Sequence, residues 1–245
     1  MKPSRAQLER DLAAVADPIR AAHSAGFFRT GKGQYAEGDR FLGIPVPIQR
    51  TIALRYRDLP LRDIERLLAS PLHENRFAAL AILVAQYKRS AGEDRDRIVT
   101  FYLAHTSRVN NWDLVDTSAP YILGDYLRDR PRDLLDRLAA SSTLWERRIA
   151  IVSTLALIKR GEIEDTFRIA AKLLPDEHDL IHKAVGWMLR ETGKVSRRAL
   201  VKFISTHYKR MPRTALRYAI ERFPPRDRER ILAGDLDYLP RSTTA

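Results

Sequence analysis

Apolar residues recur along this chain with the period of a helix. Between Arg76 and Lys88 they fall at Phe77, Leu80, Ala81, Val84 and Tyr87, the i, i+3, i+4 stripe of a helix that lays one face on a core. Helix starts are marked as well. Ser70-Pro71 reads as an N-cap followed by proline at the first helical position, and Thr143-Leu144-Trp145-Glu146 has the T-x-x-E form of a capping box. Gly161 and Gly193 each follow a helical run, where a left-handed residue closes a helix. Alternating strand patterns joined by hairpin turns are absent, so the chain reads as all-α.

The helices repeat. Glu74-Asn75-Arg76-Phe77-Ala78-Ala79 resembles Glu146-Arg147-Arg148-Ile149-Ala150-Ile151, and equivalent helix starts can be placed near Arg76, Trp112, Arg148, Lys183 and Arg217, at spacings of 36, 36, 35 and 34 residues. This period suits a HEAT-like helical-repeat solenoid, with units slightly shorter than the usual ~40 residues. Such units bury their apolar faces by stacking, and the stack predicts a curved α-α superhelix whose concave surface is built by the same helix of every repeat. The expected organisation is a single domain over residues 1–245. Residues 1–45 supply a capping helix (5–24) and a glycine-containing loop (26–39), and Phe41-Leu42-Gly43-Ile44-Pro45-Val46-Pro47 leads rigidly into the repeats of 46–235. A frayed tail is expected over 236–245.

Composition narrows the class. The 245 residues, 44% of them hydrophobic, can bury a substantial core. There is no cysteine, which excludes disulfides, thiolate metal sites and a cysteine nucleophile. No apolar run approaches the ~18 residues of a membrane span, and the stretch from Met1 to Arg10 lacks an apolar signal core. The expected location is therefore cytoplasmic, with no membrane partner.

The 43 Lys and Arg against 31 Asp and Glu leave a net charge of +12, which favours a polyanionic partner. From Arg197 to Arg230, eleven cations meet three anions, a net +8. Phe203, Ile204, Leu216, Tyr218, Ile220 and Phe223 are interleaved with them, so the segment is expected to fold and carry its charge on helices. A merely solvated face is the alternative to a nucleic-acid surface, giving either a concave basic groove or a surface kept soluble by its cations.

In the repeat register, Trp112 aligns with Arg148 and, one turn on, Asp116 with Trp187, so two tryptophans, a carboxylate and a cation are expected to converge. Each has a structural alternative: packing for Trp112 and Trp187, an ion pair for Arg148. Asp113, at the second position of its helix, is assigned to the helix dipole. Asp116 lies mid-helix, where the dipole no longer favours it, and needs a dedicated partner or task. Among the six histidines only His178 and His182 are an i, i+4 pair, and they lack the glutamate of an H-E-x-x-H zinc helix. No GxGxxG, P-loop or G-x-S-x-G is present, and no cofactor is expected.

Four blocks then stand in order: Phe41-Leu42-Gly43-Ile44-Pro45-Val46-Pro47-Ile48-Gln49-Arg50, Asn111-Trp112-Asp113-Leu114-Val115-Asp116, Trp145-Glu146-Arg147-Arg148-Ile149-Ala150 and Lys183-Ala184-Val185-Gly186-Trp187-Met188-Leu189-Arg190-Glu191. Together they resemble the AlkD family of bacterial alkylpurine DNA glycosylases, from about residue 20 to about residue 225. Asn111 departs from the pattern, standing where some members carry a second tryptophan.

The resemblance implies a HEAT-like solenoid that binds duplex DNA as a monomer and excises cationic N3- and N7-alkylated purines without flipping the base. It carries the catalytic aspartate over to Asp116, the two groove tryptophans to Trp112 and Trp187, and a supporting arginine to Arg148. Lys183, Arg190, Arg213 and Arg217 are expected to meet the DNA. Two other readings remain: a catalytically silent DNA-binding solenoid in which Asp116 pairs with Arg148, and a protein-interaction scaffold.

Overall fold

The computed structural model describes residues 3–236, so the expected tail beyond Leu236 lies outside the described residues. The described residues form fifteen α-helices and no strand; their one extended pairing is an isolated bridge between Arg40 and Leu72. The protein has an all-α helical-repeat fold. Its internal contacts divide into two compact units, one running to Tyr126 and one beginning at Leu127.

The first unit comprises α1 (Arg5–Ala13), α2 (Pro18–Phe27), α3 (Val46–Arg55), α4 (Leu61–Leu68), α5 (His73–Arg89), α6 (Gly92–Ala104) and α7 (Trp112–Ser118). Where one capping helix was expected over 5–24, there are two. Asp17 caps α2, its carboxylate accepting from the N–H groups of Ile19 and Arg20, and Pro18 occupies the first turn, so the chain breaks and restarts there.

The α5 helix is the axis of this unit, packing on α1, α3, α4, α6 and α7. Its expected apolar stripe is buried, but so is every other residue from His73 to Val84, including Glu74, Asn75 and Arg76. It begins two residues later than the Ser70-Pro71 signal: Leu72 is the N-cap and has no side-chain cap. Ser70 instead accepts from the Leu72 N–H and the Asn75 amide.

The lead-in Phe41–Pro47 is pinned from two sides. Glu74 accepts from the N–H groups of Leu42 and Gly43 at 2.9 and 2.8 Å, and the Asp17 N–H donates to the Leu42 carbonyl. Gly43 has φ +78°, and a Cβ there would lie 2.2 Å from the Asp17 carbonyl oxygen. Only glycine fits that close approach.

The second unit comprises α8 (Asp133–Ala139), α9 (Leu144–Ser153), α10 (Leu155–Ile158), α11 (Glu164–Leu173), α12 (Asp179–Val195), α13 (Arg197–His207), α14 (Arg213–Ala219) and α15 (Pro225–Ala233). The long α12 is its axis, packing on α9, α10, α11, α13 and α14. Thr143 is the N-cap of α9 as expected, but its hydroxyl makes no capping bond and Glu146 accepts from Ser141. Gly161 takes the expected left-handed conformation, φ +84°. Gly193 does not end its helix; it lies inside α12 against Leu200 of α13. The basic segment is folded, with Phe203, Ile204, Leu216, Ile220 and Phe223 buried.

A recurring contact marks the repeat. The fourth residue of α5, α9 and α12 is Arg76, Arg147 and His182, and each donates to the backbone carbonyl six residues earlier, that of Ser70, Ser141 and Asp176. Two of these helix starts were placed one residue late, at Arg148 and Lys183, because each true position is followed directly by a second base. The α7 helix departs further. It begins at Trp112, so Asp116, and not Trp112, holds the fifth position that Arg148, Lys183 and Arg217 hold in α9, α12 and α14. The pairing of Trp112 with Arg148 in the register is thereby corrected.

Gly186 of α12 faces α14, and a Cβ there would lie 2.5 Å from both the Ala215 carbonyl oxygen and the Tyr218 Cβ. Gly186→Ala is therefore expected to destabilise the protein by about 1–3 kcal/mol through overpacking, despite alanine's better helix propensity. Urea unfolding checks this, and an unchanged or raised midpoint contradicts it.

Candidate functional site

The candidate residues lie on both units. Trp112 and Asp116 are on α7 of the first; Arg148 (α9), Lys183, Trp187 and Arg190 (α12), and Arg213 and Arg217 (α14) are on the second.

The α7 helix has seven residues, too few to be stable alone, and is fixed by its surroundings. Buried Asn111 caps it, accepting from the Trp112 N–H at 2.8 Å. Leu114, Val115 and Ser118 are buried beneath it, with the Ser118 hydroxyl 3.0 Å from that of buried Tyr102. At its far end, Pro120 has no N–H to offer the Asp116 carbonyl, and the chain widens into a π-helical turn over Pro120–Gly124. Trp112 and Asp116, one turn apart, are both half-buried. The Tyr102 hydroxyl has its pKa raised, chiefly by burial; the Ser118 hydrogen bond opposes this and the negative charge of Asp116 adds to it.

Asp113 does more than face the helix dipole. It is buried, accepts from the Leu114 N–H, and lies 2.7 Å from Nε2 of His73. His73 in turn has Nδ1 3.6 Å from Asp39, whose carboxylate is 2.6 Å from the Arg76 guanidinium. Burial pulls the imidazole pKa down, but Asp113 and Asp39 outweigh it, with Arg76 opposing them, and the value is raised to about 9. Three aromatic rings complete the setting. Phe41 stacks on His73 at 4.7 Å, Phe28 lies 5.1 Å from His73, and Phe28 stacks on the Trp112 indole at 5.3 Å. Phe27, largely exposed, meets Trp112 edge-on at 6.0 Å.

In the second unit Arg148 is buried and donates to the Leu180 carbonyl at 2.6 Å, tying α9 to the first turn of α12. Lys183 pairs with Asp179 at 2.8 Å, and Trp187, one turn further, is half-buried. Arg190 pairs with Glu221, two residues past the end of α14, and lies 3.6 Å from Glu191. Arg213 donates to the Leu232 carbonyl and the Tyr208 hydroxyl, a packing role at the end of the unit. Arg213 is nonetheless exposed, as are Arg217, Lys202, Arg222 and Arg226.

The histidine pair is structural: His178 caps α12 by accepting from the Leu180 N–H, and His182 donates to the Asp176 carbonyl. Among the described residues no group of three or more His, Asp or Glu side chains is placed to hold a metal ion, and no helix is long and apolar enough to cross a membrane. The sequence reading missed His73, Asp39 and the Phe28–Phe41 pair. Its comparison of Glu74-Asn75-Arg76 with Glu146-Arg147-Arg148 touched the cluster without revealing that these charges are buried.

A helical-repeat protein that sets a tryptophan and an aspartate one turn apart on a rigidly held short helix, and carries exposed cations such as Lys202, Arg217, Arg222 and Arg226 on a second unit, has the makings of a nucleic-acid protein. The family comparison makes this specific. Residues 8–223 match the model of the DNA alkylation repair enzyme family, and the chain belongs to that family. A solved structure described as a predicted DNA alkylation repair enzyme from Enterococcus faecalis is similar at a TM-score of 0.66 and 16% identity, over 86% of this chain and 97% of that one. The likeness supports the fold. None of the curated proteins matches the chain.

The His73 cluster makes stability depend on pH. Its folded pKa of about 9 lies above the ordinary ~6.5, so the stabilisation is fully present below about pH 6.5 and is lost as pH rises through about 9, at most about 3 kcal/mol. Urea unfolding of the wild type and His73→Gln across that window is expected to show the wild type losing its advantage as pH rises. A difference that stays constant with pH contradicts this.

Proposed function

We propose that this protein is a monofunctional DNA glycosylase. It hydrolyses the N-glycosidic bond of cationic N3- and N7-alkylated purines, such as 3-methyladenine and 7-methylguanine, in duplex DNA without flipping the base. The observation that carries this reading is the pairing of half-buried Trp112 and Asp116 on α7 in a chain of the DNA alkylation repair enzyme family.

The chemistry follows from charge. An N3- or N7-alkylated purine is already cationic, so its bond to the sugar breaks with little protonation of the leaving base, and the sugar becomes oxocarbenium-like. One carboxylate then suffices: Asp116 stabilises the sugar cation and orients the attacking water. At ~4 Å and an effective dielectric of ~20, two unit charges interact by about 4 kcal/mol, equivalent to about 10³-fold in rate, if attraction in the ground state does not cancel it. In this reading Trp112 and Trp187 pack on deoxyribose, and Arg148 of α9 is the supporting arginine. Lys183, Arg190 and Arg217 meet phosphates, and the protein acts as a monomer. Arg213 has a structural partner to give up before it can do the same.

The test is incubation of the wild type and Asp116→Asn with duplexes containing 7-methylguanine and 3-methyladenine, with free base measured by mass spectrometry. The wild type is expected to release base, and the variant to release it about 10²- to 10³-fold more slowly. Duplex affinity is expected to fall steeply with salt as phosphate contacts displace counterions. Equal release by both proteins overturns the role of Asp116. Salt-sensitive binding without release points to a silent DNA-binding solenoid, and absence of duplex binding to a protein scaffold.

A further inference from the structure

We propose that His73 is a positioning residue for α7: through Phe28 and through Asp113 it holds the Trp112 indole, and the turn that carries Asp116, in the orientation that acts on DNA. The function of that orientation rests on the glycosylase reading; the coupling itself does not.

Two separate routes run from His73 to Trp112. The first is a run of rings. His73 lies against Phe28 at 5.1 Å, the planes tilted by 33°, and Phe28 stacks on Trp112 at 5.3 Å with 23° between planes. Phe41 closes this packing from the lead-in, at 4.7 Å from His73 and 5.1 Å from Phe28. The second route is polar. Asp113 is bonded through one oxygen to His73 and through the other to the Leu114 N–H. It directly follows Trp112 and precedes Asp116 by three residues. The imidazole thus touches both the partner of the indole and the first turn of the helix that bears it.

Charge makes the arrangement conditional. The groups facing the imidazole are Asp113 from α7, Asp39 from the loop before the lead-in, and Arg76 from α5 itself, with Glu74 beside it on α5. Three carboxylates meet one guanidinium, so the imidazolium is the second cation of the cluster. Without it, two negative charges are uncompensated among groups nearly all shielded from water, which costs several kcal/mol per ion. The carboxylate that loses its cation is Asp113 of α7, because Asp39 keeps Arg76 at 2.6 Å and Glu74 keeps its backbone donors. Deprotonation of His73 is therefore expected to move Asp113, and Trp112 with it.

The experiment uses the intact wild-type protein carrying 5-fluorotryptophan at its three tryptophans, with Trp112→Phe to assign the resonance. Fluorine spectra are recorded from about pH 7 to about pH 10, beside the His73 ring signal in proton–carbon spectra. The Trp112 resonance is expected to move along the His73 titration curve while those of Trp145 and Trp187 do not follow it. A Trp112 resonance that stays fixed while His73 titrates overturns the proposal.

A second arm measures single-turnover release of 7-methylguanine by His73→Gln, expected to be about 10- to 100-fold slower than wild type with duplex affinity within about threefold. In the wild type, release is expected to decline with pH along the fluorine curve. A variant that folds and excises at the wild-type rate overturns the positioning role. If the wild type itself releases no base, the glycosylase reading fails, and the fluorine titration alone decides the coupling, as it does if His73→Gln does not fold.

Discussion

The first unit depends on one constraint: α5 is buried on all sides at its start, yet its first four residues include a histidine, a glutamate and an arginine. Charges out of water cost several kcal/mol each unless they are paired, so the chain around α5 must supply partners. It does so with segments that have little structure of their own. The lead-in offers three successive N–H groups to Glu74, the preceding loop offers Asp39 to Arg76, and α7 offers Asp113 to His73. Each segment is thereby fixed in place by a charge it neutralises.

That explains how a seven-residue helix is held in place. Short helices gain stability from tertiary contacts and not from propensity, and α7 has contacts at both ends. Asn111 and Asp113 hold its start, Ser118 its last turn, and Pro120 stops it from continuing as an α-helix. Of its seven residues, Trp112, Asp116 and Thr117 keep partial access to solvent. A rigid base with a tryptophan and an aspartate on its open side is a different object from the amphipathic helices of the other repeats.

Much of this was legible in the sequence. The all-α class and the long helix through Arg76–Lys88 follow from apolar spacing, and the period near 35 residues from the recurrence of similar helix starts, because a stacked repeat needs the same face of every unit. Helix starts were less legible. Ser70-Pro71 looks like a cap but serves Asn75 and the Leu72 N–H, and runs such as Arg147-Arg148 offer two bases where one defines the register. The buried cluster was least legible. Periodicity gives burial to apolar residues and exposure to charged ones, and α5 breaks that rule at His73, Glu74 and Arg76. Their partners stand 30 to 40 residues away, beyond the reach of any local pattern. Asp113, read as an ordinary first-turn acid, satisfies the dipole rule so well that nothing local calls for a second partner.

The two halves of the candidate set use charge in different ways. In the second unit basic side chains are largely exposed or held by surface carboxylates, as Lys183 is by Asp179 and Arg190 by Glu221, and such pairs are worth little in water. Exchanging their carboxylate partners for phosphates therefore costs little, which under the proposed function suits a surface that meets DNA of any sequence. In the first unit the charges are buried and matched, and a change in one must be answered by another. A carboxylate that acts on a transient sugar cation gains from the second kind of setting, because its benefit falls with distance and with every water that enters. On the glycosylase reading, the His73 cluster steadies through Asp113 the turn that carries half-buried Asp116.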